Sequence, residues 1–102
     1  MKIAFGLITK FKAHPGNRKA LVNILLEAAT VLDKYNACIQ YVVSVNEDDP
    51  DTVIVTEVWT DSGHHKASLD NEEVKAVIER AKPLIESIEK SVSMDVVGGK
   101  GL

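Results

Sequence analysis

The chain has 102 residues, of which 45% are hydrophobic and 26% charged, and it carries a formal net charge of -3 at pH 7. This composition predicts a single globular domain over residues 1–102 and argues against a disordered chain. The scattered basic residues argue against nucleic-acid binding, the single cysteine excludes an internal disulfide, and no apolar stretch reaches the roughly 20 residues that span a membrane, so we expect a cytoplasmic protein.

The N-terminal third of the chain predicts a strand followed by a helix. β-Branched and aromatic residues alternate from Lys2 to Lys12, which is typical of a strand, and Thr9 is a polar residue in an otherwise apolar row. The Pro15-Gly16 turn ends this strand, and apolar residues then recur at helical spacing to about Tyr35. The stripe of the helix consists of Leu21, Ile24, Leu25, Ala28, Val31 and Leu32.

Two further strands are predicted after this helix. They span residues 37–46 and 52–60, and the acidic turn 47–51 joins them as a hairpin. The second of these strands is largely apolar on both faces, a pattern typical of a strand that is covered on both sides.

Two helices and a last strand complete the prediction. Asp61 or Ser62 caps a short helix over 64–69, and a longer helix begins near Asn71. Pro83 falls inside the stripe of this longer helix and predicts a kink or a stop and restart. That stripe consists of Val74, Val77, Ile78, Ala81, Ile85 and Ile88.

The final strand is predicted over 91–97, with 98–102 as a flexible tail. The order of elements predicts an α+β, ferredoxin-like split βαβ fold with a four-stranded antiparallel sheet and helices on one face. Since the third strand needs cover on both faces, we expect a homodimer that packs sheet to sheet.

One motif gives the sequence a family resemblance. Glu57-Val58-Trp59 ends the third strand directly before the capped short helix. Together with the Pro15-Gly16 turn, the Tyr41 strand and the Asp48-Asp49-Pro50 turn, it makes the whole chain resemble the antibiotic biosynthesis monooxygenase (ABM) family. The resemblance implies a dimeric α+β barrel with small-molecule chemistry between sheet and helices. Characterised members oxygenate phenols or quinols without a cofactor, degrade haem, or isomerise a phosphorylated sugar.

The chain departs from the family at several positions. Ser68 stands where many members have a histidine, and only the cysteine of a frequent Pro-Gly-Cys turn is kept, in Asn36-Ala37-Cys38. Thr9, Ser68 and Ile78 occupy the places where haem-degrading members carry Asn, Trp and His. The resemblance therefore argues against haem degradation.

Glu57 and His65 are the candidate catalytic residues. Glu57 shares a strand face with Trp59, so it is either a buried carboxylate with a raised pKa beside an aromatic wall, or a structural residue satisfied by a basic or backbone donor. His64 and His65 cannot face the same way on a helix. His65 lies one turn before Ser68, where it acts as a base or, as is more common, as a hydrogen-bonded packing residue.

The remaining candidates are weaker. Trp59, Thr9 and Ser68 are predicted to line a substrate pocket, whereas Tyr41 belongs either to the pocket or to the dimer face. Cys38 lacks a neighbouring base and is interpreted as a small buried residue. No histidines stand at metal-ligand spacing, so no metal site is predicted.

The leading hypothesis is a cofactor-independent monooxygenase that oxidises a small phenolic or quinol-type substrate with dioxygen. The substrate ring would stack near Trp59, with His65 or Glu57 as the base. One alternative is a non-catalytic dimeric barrel that binds a small metabolite or serves in a stress response. Another is an isomerase or lyase of a small phosphorylated metabolite, which would need Arg18 or Arg80 near the pocket.

Overall fold

The computed structural model describes residues 2–102, which form a four-stranded antiparallel sheet and three α-helices. The elements are β1 (Ala4–Ala13), α1 (Arg18–Leu32), β2 (Cys38–Asn46), β3 (Asp49–Trp59), α2 (Ser62–Ser68), α3 (Glu72–Ala81) and β4 (Ile85–Val96). A 3-10 turn, Lys82–Leu84, joins α3 to β4. The strand order β2-β3-β1-β4 confirms the predicted α+β, ferredoxin-like topology.

The core lies between the helices and one face of the sheet. The buried side of α1 consists of Leu21, Leu25, Ala28 and Leu32, which are four residues of its predicted stripe. The buried side of α3 consists of Val74, Val77 and Ala81. Both helices pack over alternate residues of the central strand β3, where Val53, Val55 and Trp59 are almost completely buried. Trp59 thus joins the core because the period of the strand gives it the same face as the valines.

The strand register determines what surrounds Glu57. Glu57 pairs with Leu7 of β1 on one side and with Tyr41 of β2 on the other. Side chains paired directly across neighbouring strands point to the same face of the sheet. Tyr41 therefore shares the helix-covered face with Glu57, and the alternative that it belongs to the opposite face is wrong.

The boundary between α3 and β4 differs from the prediction. The helix ends at Ala81, which confirms the stop expected near Pro83, but it does not restart, and β4 begins six residues before the predicted Ser91. Pro83 has no N–H to donate and its ring clashes with the preceding helical turn, so the helix stops there. Register shifts then place Ile85 opposite Ala13 and Ile88 opposite Phe11, which put both isoleucines on the face of the sheet that the helices cover. In the sequence these two isoleucines are three residues apart, a spacing typical of one face of a helix.

The β2–β3 hairpin is tighter than predicted. Its turn consists of Glu47 and Asp48 alone, and β3 begins at Asp49 rather than at Thr52. The side chain of Asn46 accepts a hydrogen bond from the backbone of Asp48 at 3.0 Å. Arg18 of α1 donates to the carbonyl groups of Asn46 and Asp49, at 3.2 Å each. These contacts satisfy the backbone of a short turn, so the strand can start earlier.

The other face of the sheet carries apolar side chains that none of the helices within residues 2–102 covers. Those assigned to it by the register are Ile8, Val42, Ile54, Val58, Val92 and Met94. Val42 is 45% exposed and Met94 37% exposed. Residues 98–102 follow β4 outside any helix or strand. Within residues 2–102, no helix has the length and apolar character needed to cross a membrane.

Candidate active site

A cavity of about 330 Å³ lies between the helices and the covered face of the sheet. Most of its wall is apolar and comes from α1, α3 and the start of β4. Its polar lining side chains are Tyr41, Glu57, His65, Ser68 and Lys82. This volume is at the lower end of the usual range for ligand pockets, about 300–1,000 Å³. A mostly apolar wall with a few polar side chains is also typical of such pockets.

Glu57, Trp59 and His65 form a contact cluster on the wall of the cavity. The indole Nε1 of Trp59 donates a hydrogen bond to Glu57 Oε1 at 3.0 Å. His65 Nε2 lies 3.9 Å from the same oxygen, too far for a hydrogen bond but close enough for an ion pair. The side chains of His65 and Glu57 are only 17% and 11% exposed. The structure therefore brings together three of the five predicted site residues.

Burial raises the pKa of Glu57 above its ordinary value. The Trp59 N–H and the nearby His65 act in the opposite direction, because both favour the ionised carboxylate. Of these influences, burial is the largest. A carboxyl group with a raised pKa inside a cavity is better suited to accept and return a proton than an ordinary carboxyl group.

The short helix α2 orients the two adjacent histidines differently, as predicted. The Asp61 side chain caps the helix by accepting from the backbone N–H of His64 at 2.8 Å. The His64 ring stays outside beside Asp61, and its side chain is 61% exposed. The His65 ring points inward, 5.7 Å from the ring of Phe5 and 5.5 Å from that of Trp59, with the Trp59 contact edge-on.

The other two predicted pocket residues have different positions. Ser68 lines the cavity and is 3% exposed, and its Oγ donates a 2.6 Å hydrogen bond to the carbonyl of His65. This bond ties the last turn of α2 to the residue that faces Glu57. Thr9 lies on the covered face opposite Val55 but is not part of the cavity wall. The prediction that Thr9 lines the pocket, made because it is a polar residue in an apolar row, is therefore wrong.

Tyr41 is the cavity residue that sequence reasoning left open. Alternation along β2 separates it from Gln40 and Val42, but only the pairing with Glu57 shows which face is covered. Burial and the charge of Glu57 raise the pKa of Tyr41 well above its ordinary value. The same two causes raise the pKa of Cys38 to about 11, so this thiol stays protonated at neutral pH, although its side chain is half-buried rather than fully buried as predicted.

The two arginines that a phosphorylated ligand would need lie elsewhere. Arg18 contacts the β2–β3 turn, and Arg80 pairs with Glu27 of α1. Lys82 is the cationic residue of the cavity wall, and its Nζ contacts Glu79 at 3.0 Å. Among residues 2–102, no group of three or more His, Cys, Asp or Glu side chains is arranged to hold a metal ion.

Comparison with known proteins connects this site to a family. The sequence matches the profile of the antibiotic biosynthesis monooxygenases over residues 4–80. A Chloroflexus aurantiacus protein assigned to these monooxygenases is 40% identical, with a TM-score of 0.87 over 94% of this chain and 95% of its own. Proteins with the same assignment from Deinococcus radiodurans and Caulobacter crescentus share the fold, at 20% and 17% identity and TM-scores of 0.80 and 0.85. The match with the Deinococcus protein covers 93% of this chain and 94% of that protein. The match with the Caulobacter protein covers 95% of this chain and 92% of that protein.

Among curated proteins, the sequence finds no match. The matched profile extends from the start of β1 into the last turn of α3, and the Chloroflexus protein covers 94% of the chain. The chain belongs to the antibiotic biosynthesis monooxygenase family.

Proposed function

We propose that the protein is a monooxygenase that inserts oxygen from dioxygen into a small phenolic or quinol-type substrate, with no cofactor. The observation that carries this proposal is the Glu57–Trp59–His65 cluster inside an otherwise apolar cavity. Family membership supports the same reaction type. Glu57 or His65 acts as the base, and Trp59, whose indole lines the cavity, forms part of the wall against which the substrate ring lies.

The chemistry needs little from the protein once the substrate is deprotonated. The base takes the phenol proton, and the phenolate passes one electron to dioxygen. The ring radical and superoxide then combine into a C–O bond, and loss of water gives a quinone. A phenol and dioxygen contain the atoms and electrons of a quinone and water, so no external reductant is required. The apolar wall serves by keeping water from the reactive pair.

The alternative functions have less support. An isomerase or lyase of a phosphorylated metabolite needs a strongly basic pocket, and Arg18 and Arg80 have other partners. A non-catalytic binding protein would share the cavity and could use the same carboxyl to hold a ligand, so family membership is what favours the oxygenase over it. Substrate turnover distinguishes this last alternative from the oxygenase.

Homodimerisation belongs to the same proposal. The uncovered face of the sheet presents large apolar residues such as Val42 and Met94 to water, and a second copy of the chain would bury them. Light scattering at micromolar concentration tests this directly. We expect the mass of a dimer, and a clean monomer would remove this part of the proposal.

Oxygen consumption with a panel of phenols and quinols tests the proposed activity. The wild type is compared with variants His65→Ala, Glu57→Gln and Trp59→Ala, and the matched control is His64→Ala, because His64 is adjacent but outside the cavity. We expect His64→Ala to keep the wild-type rate. Loss of a general base or its partner typically lowers the rate by about 10²–10⁴. Unchanged rates in both His65→Ala and Trp59→Ala would contradict the proposal.

A further inference from the structure

Tyr41 and Glu57 present complementary hydrogen-bonding groups to the cavity. They are paired directly across β2 and β3, and both side chains line the same cavity wall. Tyr41 lines the cavity, and its hydroxyl is not one of the fully buried polar atoms without a partner, of which Thr52 Oγ1 is the one found within residues 2–102. The Tyr41 hydroxyl is therefore reachable from the cavity and can bond to a ligand there.

Glu57 also has a free oxygen. The contacts from Trp59 and His65 both fall on Oε1. In the part of the chain that the structure describes, Oε2 has no comparable contact. The pair thus offers one donor, the Tyr41 O–H, and one acceptor, Glu57 Oε2.

We propose that Tyr41 is a substrate-contacting residue, and that its hydroxyl and Glu57 Oε2 together bind a single hydroxyl group on the substrate ring. The Tyr41 O–H donates to the substrate oxygen, and the substrate O–H donates to the carboxylate. This inference rests on the proposed function and specifies it: the substrate is an arene with a free ring hydroxyl, and Glu57 is the base that receives its proton.

The arrangement also fits the proton transfer. The substrate O–H bond breaks, the proton forms a new bond with Glu57 Oε2, and the electron pair remains on the substrate oxygen as a phenolate. Tyr41 keeps its own proton because its hydroxyl ionises with more difficulty than an ordinary tyrosine, and so it continues to donate to the phenolate oxygen. A neutral donor aimed at an oxygen that gains charge stabilises the product of deprotonation.

A pair of matched ligands tests the inference without any turnover. p-Cresol and toluene differ in the ring hydroxyl, and their binding is measured through the indole N–H signal in NMR titrations of the labelled protein. The chain has one tryptophan, and it lines the cavity, so a single signal reports on the site. Tyr41→Phe removes only the hydroxyl group. The control is Tyr35→Phe, because Tyr35, the other tyrosine, packs beside the core and is not part of the cavity wall.

We expect Tyr41→Phe to weaken p-cresol binding by about two- to tenfold, the range for one net hydrogen bond, and to leave toluene binding within about twofold. Tyr35→Phe should change neither affinity. An equal loss for both ligands, no loss for p-cresol, or the same loss in Tyr35→Phe would overturn the inference.

A second comparison needs only the wild type, and so it holds if Tyr41→Phe fails to fold. The methyl ether of p-cresol can accept from Tyr41 but cannot donate to Glu57. We expect it to bind more weakly than p-cresol, and equal or tighter binding would overturn the paired site. The failure of the proposed function looks different: hydroxyl-selective binding would persist, while no phenol would consume oxygen.

Discussion

Replacing Trp59 with phenylalanine tests how the indole N–H supports the buried carboxylate of Glu57. The variant keeps an aromatic ring in a fully buried position but removes the 3.0 Å hydrogen bond to Oε1. A hydrogen bond to a charged group contributes about 1.5–3 kcal/mol to stability. The smaller ring leaves a gap that costs roughly a further 1 kcal/mol. We therefore expect the free energy of unfolding to fall by about 2.5–4 kcal/mol when Glu57 is ionised.

The loss should depend on pH. The Trp59 N–H favours the ionised form of Glu57, so its removal raises the pKa of Glu57 further. In buffer above the Glu57 pKa of both proteins the carboxylate is ionised, and the full loss of the hydrogen bond is observed. In buffer below both of these pKa values the carboxyl binds a proton, and the difference between the two proteins becomes smaller.

Urea unfolding followed by far-ultraviolet circular dichroism measures both effects, since the variant has no tryptophan for fluorescence. Glu57→Gln and the double variant complete a thermodynamic cycle that separates the hydrogen bond from the packing loss. We expect Trp59→Phe to cost less when residue 57 is glutamine, because a neutral acceptor contributes about 1 kcal/mol. A loss of equal size in both buffers, or one that Glu57→Gln does not reduce, would refute the role assigned to this hydrogen bond.

Two further predictions concern ionisable groups of the same region. Because the pKa of Glu57 is raised in the folded protein, the folded state binds this proton more tightly than the unfolded chain, so wild-type stability falls as pH rises from the ordinary carboxyl pKa through the raised one. The melting temperature of the wild type should therefore decrease over this pH range, and that of Glu57→Gln should not. Parallel curves of melting temperature against pH for the two proteins would contradict this prediction. With its pKa near 11, Cys38 should react with iodoacetamide in mildly alkaline buffer roughly 100-fold more slowly than a free cysteine. A rate equal to that of glutathione would contradict the raised pKa of this thiol.

Local periodicity was sufficient to predict the shared face of Glu57 and Trp59 and the different directions of His64 and His65, whereas the choice of His65 as the inward one rested on the family resemblance at Ser68. A strand alternates sides at every residue, and adjacent helical residues point about 100° apart, so neither inference depends on the rest of the fold. The strand order could also be predicted, because the succession of elements allows few topologies.

Other features depend on interactions between distant parts of the chain. Tyr41 could be assigned to the cavity only from its pairing with Glu57. Ile85 and Ile88 share a face through register shifts in β4, which their spacing in the sequence does not reveal. Thr9 shares the covered face but lies outside the cavity, because the position of the cavity depends on where the helices and the sheet separate.

The most direct test of the proposed oxygenation is the mass of the product formed under ¹⁸O-labelled dioxygen. Purified protein is incubated with a phenol from the panel, beside buffer alone and the variants His64→Ala and His65→Ala. We predict a quinone that carries one labelled oxygen atom, formed at the wild-type rate by His64→Ala and far more slowly by His65→Ala. A product without the label, or labelled product at the same rate in buffer alone, would contradict the assignment of this cavity as the site of oxygenation.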